Sequence, residues 1–112
     1  MTSRGNYLGE FEELVLLSVA SLPDDAYGVS IMQYINRETG RRVNISAVHE
    51  VLKRLQRKGY VKSRMGGATS ERGGRRKRYF TLTVSGTKSL HEIMTLKLQL
   101  YKQVPNFNLK LT

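Results

Sequence analysis

From residue 46 to residue 86 the chain reads SAVHEVLKRLQRKGYVKSRMGGATSERGGRRKRYFTLTVSG. A helix-forming stretch comes first, and two alternating segments follow it across a Gly-rich connection. Ser46 is suited to an N-cap and Gly59 to the left-handed position after a helix, so they frame a helix over Ala47–Lys58. At 100° per residue, Val48, Val51, Leu52 and Leu55 share one face. Ser46, Glu50, Lys53 and Arg57 point the opposite way, flanked by His49, Arg54 and Gln56. The apolar face must be buried, and the other side is left to meet a second molecule.

The alternation over Tyr60–Met65 and Arg75–Thr83 predicts a strand pair. Val61 and Met65 fall on one face of the first strand and Phe80 and Leu82 on one face of the second, while the opposite faces carry Lys62 and Arg64 in the first and Arg75, Lys77, Tyr79 and Thr81 in the second. Between Lys53 and Arg78 stand eleven bases and one acid, Glu71, which accounts for essentially all of the chain's net charge of +10. Charge concentrated on ordered elements favours a polyanion as partner. Duplex DNA needs a helix that fits the major groove and cations aimed at phosphates. The connection Gly66–Gly74, followed by four bases from Arg75 to Arg78, suits a hairpin tip that settles against the sugar-phosphate backbone or in the minor groove.

Upstream, Leu8, Phe11, Leu14, Val15, Val19 and Leu22 recur at helical spacing over about Leu8–Leu22, with Glu10, Glu12 and Glu13 at the positive end of the helix dipole. Pro23-Asp24-Asp25 ends that helix and offers an Asx cap to the next, expected over Tyr27–Thr39 with Val29, Ile31, Met32 and Ile35 as its apolar stripe and Gly40 as its C-cap. Gly28 lowers helix propensity, which predicts close backbone packing there. Tyr27 suits either a half-buried ring or a phosphate contact through its hydroxyl.

A last helix, capped by Thr83 and followed by Pro105, is expected over Val84–Val104. Its apolar residues spread over roughly 200°, against about 100° for a helix lying on one surface. One small domain cannot cover both flanks; a second copy can. The expected dimer interface comprises Leu90, Ile93, Met94, Leu96, Leu100, Tyr101 and Val104 with Phe11 of the first helix. Lys97, inside the arc, either snorkels to its edge or lines a polar gap between subunits. A hydrophobic fraction of 39% and no cysteine for disulfides also argue for stability gained by association.

Lack of cysteine excludes thiolate catalysis and Cys-based zinc sites. His49 and His91 lie on separate helices without a partner at catalytic spacing, and no metal site or cofactor is expected. GGATSERGG lacks the G-x-x-x-x-G-K-[ST] pattern of a phosphate loop. No apolar run approaches a membrane span of about 18 residues, and MTSRGNYLGEFEE has no signal-peptide core, so a cytoplasmic protein with no membrane partner is expected.

Together these elements predict a mainly α fold with a two-stranded β wing: a winged helix-turn-helix over residues 1–83, a dimerisation helix over 84–104 and a tail over 105–112. LGEFEELVLLSV, DAYGVSI, AVHEVLKRLQRKGYV and ERGGRRKRYFTLTVSG resemble the PadR family of bacterial transcription regulators, in particular the short subfamily with one C-terminal helix. The resemblance spans about Leu8–Leu100. It implies a homodimer on a near-palindromic, inverted-repeat DNA operator, usually repressing until a small molecule or stress releases it. Ala47–Lys58 corresponds to the recognition helix and Gly66–Arg76 to the wing, making Ser46, Ala47, His49, Glu50, Lys53, Arg54, Arg57, Arg72, Arg75, Arg76 and Lys77 the candidate DNA-binding residues. His49 replaces a Tyr common in the family. The chain has no Trp to sandwich a flat effector, so Tyr101 or Phe11 would have to hold a small hydrophobic or aromatic ligand at the dimer interface. The alternatives are a small-molecule sensor and a winged helix docking RNA or protein; A-form RNA grooves do not admit the Ala47–Lys58 helix.

Overall fold

A computed structural model of the chain describes residues 7–66 and 76–105. Its elements are α1 (Glu10–Ser21), α2 (Gly28–Thr39), α3 (Ile45–Arg57), β1 (Val61–Met65), β2 (Arg78–Leu82) and α4 (Val84–Tyr101). The order and type of elements are those expected of a winged helix-turn-helix followed by one long helix.

The termini differ from the sequence expectation for local reasons. α3 is capped by Asn44, whose side chain accepts the Ala47 N–H at 2.8 Å. Ser46 is therefore a first-turn residue and not the cap, because the helix begins at Ile45. α2 takes no Asx cap: its N-cap is Tyr27, whose N–H is satisfied by Ser30 Oγ at 2.9 Å. α1 starts at Glu10, where the Glu12 carboxylate folds back to the Gly9 N–H. Gly40 and Gly59 hold φ of 74° and 81°, the left-handed turns expected of them.

β1 and β2 pair antiparallel with Val61 opposite Leu82, Ser63 opposite Phe80 and Met65 opposite Arg78. The strands are shorter than expected: Arg76 and Lys77 precede β2, and Met65 is 41% exposed because its face runs out beyond the core. On its other edge β2 bonds to the segment before α2, Phe80 N–H to Ala26 O at 2.8 Å. The wing is thereby tied to the helix-turn-helix.

The core gathers Val15, Leu16 and Val19 of α1, Ile31 and Ile35 of α2, Val48, Leu52 and Leu55 of α3, and Val61 and Phe80 of the sheet. α1 is buried well beyond the expected stripe, since α2, α3, α4 and β2 all pack around it. Val29, assigned to the apolar stripe of α2, is instead 42% exposed. Thr83 caps α4 by accepting the Gly86 N–H at 3.0 Å. α4 projects from the body: the radius of gyration is 16.3 Å, against about 13 Å for a compact chain of this length.

Candidate nucleic-acid interface

The outward face of α3 carries Ser46, His49, Glu50, Lys53, Gln56 and Arg57, all exposed, because Val48, Val51, Leu52 and Leu55 hold the opposite face in the core. Ala47 is half-buried. The N-terminal end of α2, α3 and the approach to β2 enclose a groove of about 720 Å³ that brings His49, Lys53, Arg76 and Lys77 together over a floor including Leu52 and Phe80. Arg72 and Arg75 lie outside the described residues.

The cations fall into two groups by what they already touch. Arg54 and Lys58 both reach Glu12, at 3.7 and 3.0 Å. Arg41 is ion-paired with Glu10, and its hydrogen bond is the main cause that holds the Glu10 carboxyl below its ordinary value. The Arg76 Nε–H donates to Gly66 O at 2.9 Å and Arg78 donates to Ser63 Oγ at 3.0 Å. Lys53, Arg57, Arg42 and Lys62 are exposed and, among the described residues, engage no acid or acceptor. An anion approaching α3 meets Lys53 and Arg57 without first breaking a pair with any described residue.

The base of the wing is braced by aromatic rings. Lys77 Nζ stands 4.2 Å from the Tyr27 ring centre, Tyr27 meets Tyr79 edge-on at 5.6 Å, and the Arg64 guanidinium lies 5.0 Å from the Tyr79 ring. Tyr27 is thus a half-buried ring, and it orients Lys77. Sequence reasoning did not find this ladder, because its four members come from three separate segments. Nor did it select Arg42, which flanks the Asn44 cap, or the pairing role of Glu12, which it read only as a partner of the helix dipole.

His49 packs against Gly28. A Cβ at residue 28 would stand 2.6 Å from His49 Cε1 and 3.2 Å from Ile45 Cδ1. The close approach anticipated at Gly28 is therefore present, and the imidazole is what approaches.

Along α4, Leu90 is buried in the chain's own core, while Ile93 and Met94, with Phe11 of α1, pack partly against it. Leu96, Leu100 and Tyr101 are 57%, 57% and 53% exposed, and Val104, beyond the helix end, is 49% exposed. The Lys97 ammonium lies 2.6 Å from Glu13 Oε1 of α1 in the same chain.

The PadR-like family of transcriptional regulators matches residues 16–92 by its sequence profile. The chain belongs to that family. This PadR-like chain is 33% identical to a Streptococcus mutans protein of known crystal structure, with a TM-score of 0.60 over 81% of this chain and 77% of that one. It is 25% identical to Bacillus subtilis PadR, solved in complex with operator DNA, with a TM-score of 0.61 over 76% of this chain. It spans 46% of that longer protein. A PadR-like regulator of Bacillus cereus, at 19% identity, shares the fold with a TM-score of 0.70 over 90% of this chain and 93% of its own. No curated protein matches the chain in sequence. Among the described residues, no helix is long and apolar enough to cross a membrane, and no group of His, Asp and Glu could hold a metal ion.

Proposed function

We propose that this PadR-like chain binds duplex DNA as a homodimer and represses transcription from an inverted-repeat operator. The observation that carries the reading is the pair of exposed cations Lys53 and Arg57, unengaged among the described residues, on the solvent face of α3, beside the groove that His49 and Lys77 share with the wing base. α3 enters the major groove. His49, Ser46 and Glu50 meet base edges or neighbouring phosphates, and Lys53 and Arg57 hold the backbone. The wing, including Arg72, Arg75, Arg76 and Lys77, follows the adjacent phosphates. Bacillus subtilis PadR, solved on operator DNA, supports the partner class.

Residues 1–83 form the DNA-reading unit and α4 the dimerisation unit. The exposed row Leu96, Leu100, Tyr101 and Val104 supports the dimer, since a monomer would leave it in water. Two-fold symmetry places half-sites about one helical turn apart, roughly 10 bp. A small hydrophobic or aromatic effector at the α4 interface releases the operator if it binds the DNA-incompetent arrangement more tightly.

The test is fluorescence anisotropy with duplexes from the promoter of the chain's own gene, titrated over a range of salt. Saturable binding to an inverted repeat, with log K falling linearly in log[salt], is the expected result. Failure to bind any such duplex overturns the proposal.

A further inference from the structure

Glu12 does more than close the first turn of α1. Its carboxylate is 7% exposed and is faced by three groups, two of which donate hydrogen bonds to it. The Gly9 N–H lies 2.8 Å from Oε1. Lys58 Nζ stands 3.2 and 3.0 Å from the two oxygens, and an Arg54 nitrogen lies 3.7 Å from Oε2. Lys58 is held once more by the carbonyl of Tyr7, at 3.0 Å. One buried acid therefore occupies two of the three cations at the C-terminal end of α3, Arg54 and Lys58, while Lys53 and Arg57 on the same helix have no partner among the described residues.

We infer that Glu12 is an internal competitor of DNA phosphate: it withholds Lys58 and Arg54 from the duplex and so limits sequence-independent affinity. The inference rests on the proposed DNA binding and adds which cations do not take part. A buried carboxylate stays ionised only while cations and N–H donors face it, so releasing Lys58 to a phosphate would strand a charge out of water. Cations with no internal partner carry no such cost. The resulting division of labour leaves the outward residues of α3, Arg57 included, to determine the contact and keeps Lys58 and Arg54 from adding an undirected one.

The experiment is a salt titration of binding to a random-sequence duplex by wild type, Glu12→Gln, Lys58→Met and the double variant. Gln at position 12 keeps the acceptor for the Gly9 N–H and removes the charge. Each freed cation that reaches a phosphate steepens the slope by about 0.9 and, near 0.1 M salt, raises affinity roughly eightfold. Glu12→Gln is expected to show that gain, Lys58→Met in the wild-type background to leave the slope unchanged, and the double variant to lose most of the gain. A slope for Glu12→Gln equal to wild type, or a shallower slope for Lys58→Met alone, overturns the inference. The second result reads correctly even if Glu12→Gln folds poorly, since Lys58→Met leaves α1 intact. Wild type that binds no duplex sinks the proposed function; wild type that binds while Glu12→Gln gains nothing sinks only this inference.

Discussion

The backbone of Gly86 lies against the carbonyl of Tyr60, so closely that a Cβ at residue 86 would clash with that oxygen and stand 2.9 Å from the carbonyl carbon. The same Tyr60 carbonyl accepts the Thr83 N–H at 3.0 Å, and Thr83 Oγ1 donates to Gly59 O at 2.6 Å. The first turn of α4 is thus seated on the chain leaving α3. Because backbone and not a flexible side chain blocks the space, Gly86→Ala is expected to destabilise by about 3 kcal/mol, the upper range for overpacking. Thermal unfolding at fixed protein concentration checks this; a melting temperature within a degree or two of wild type would show that the junction yields.

Gly28 presents the opposite case. The atom closest to a new Cβ belongs to the exposed imidazole of His49, which can swing away. Gly28→Ala is expected to cost less than about 1 kcal/mol, partly because Ala favours a helix over Gly. Operator affinity should nonetheless fall, since His49 loses the surface that positions it. The salt slope should remain that of wild type, because phosphate contacts are untouched. Unchanged affinity for the operator would mean that the placement of His49 is irrelevant to recognition.

Lys53→Ala and Arg57→Ala remove cations that have no internal partner among the described residues. Each is expected to weaken binding to operator and random duplex alike and to lower the salt slope by about 0.9. Lys97→Ala, whose ammonium is committed to Glu13, should not change that slope. Equal slopes for all three variants would contradict the assignment of the α3 face.

Leu96 and Leu100 lie one turn apart on α4, each 57% exposed. Replacing both with Glu should yield a folded monomer by sedimentation, with helical circular dichroism retained. Loss of the second binding module should reduce operator affinity by roughly a hundredfold. A dimer that survives the double substitution would place the interface elsewhere.

The Glu12 carboxyl carries a pH signature. Burial alone would raise its pKa, but the Gly9 N–H and the Lys58 ammonium outweigh burial and hold it below its ordinary value. The native value lies under the unfolded one, about 4.3. Its stabilisation is therefore complete above that pH and disappears as the pH falls through the native value. Denaturant midpoints measured from pH 6 down to pH 3 should drop further for wild type than for Glu12→Gln. Parallel curves would show that the ion pair does not contribute.

Much of the architecture was legible because periodicity and cap chemistry are local. The spacing of Val48, Val51, Leu52 and Leu55 set both the buried side of α3 and, by exclusion, the side left for a partner. Gly40 and Gly59 marked helix ends through backbone freedom alone. Sequence reasoning misplaces the cap of α3 at Ser46, because the composition of a short polar stretch does not say at which residue the helix begins. It begins at Ile45, which makes Asn44 the cap.

Charge was legible in amount but not in use. The sequence by itself determined that a basic helix and a basic hairpin stand side by side, because those properties follow from the order of residues along a few turns. Only the tertiary structure decided which cations are already spoken for, since Glu12 meets Lys58 across 46 positions and Glu13 meets Lys97 across 84. An ion pair between distant segments depends on how α1 is laid against α3 and α4, and no local pattern encodes that placement.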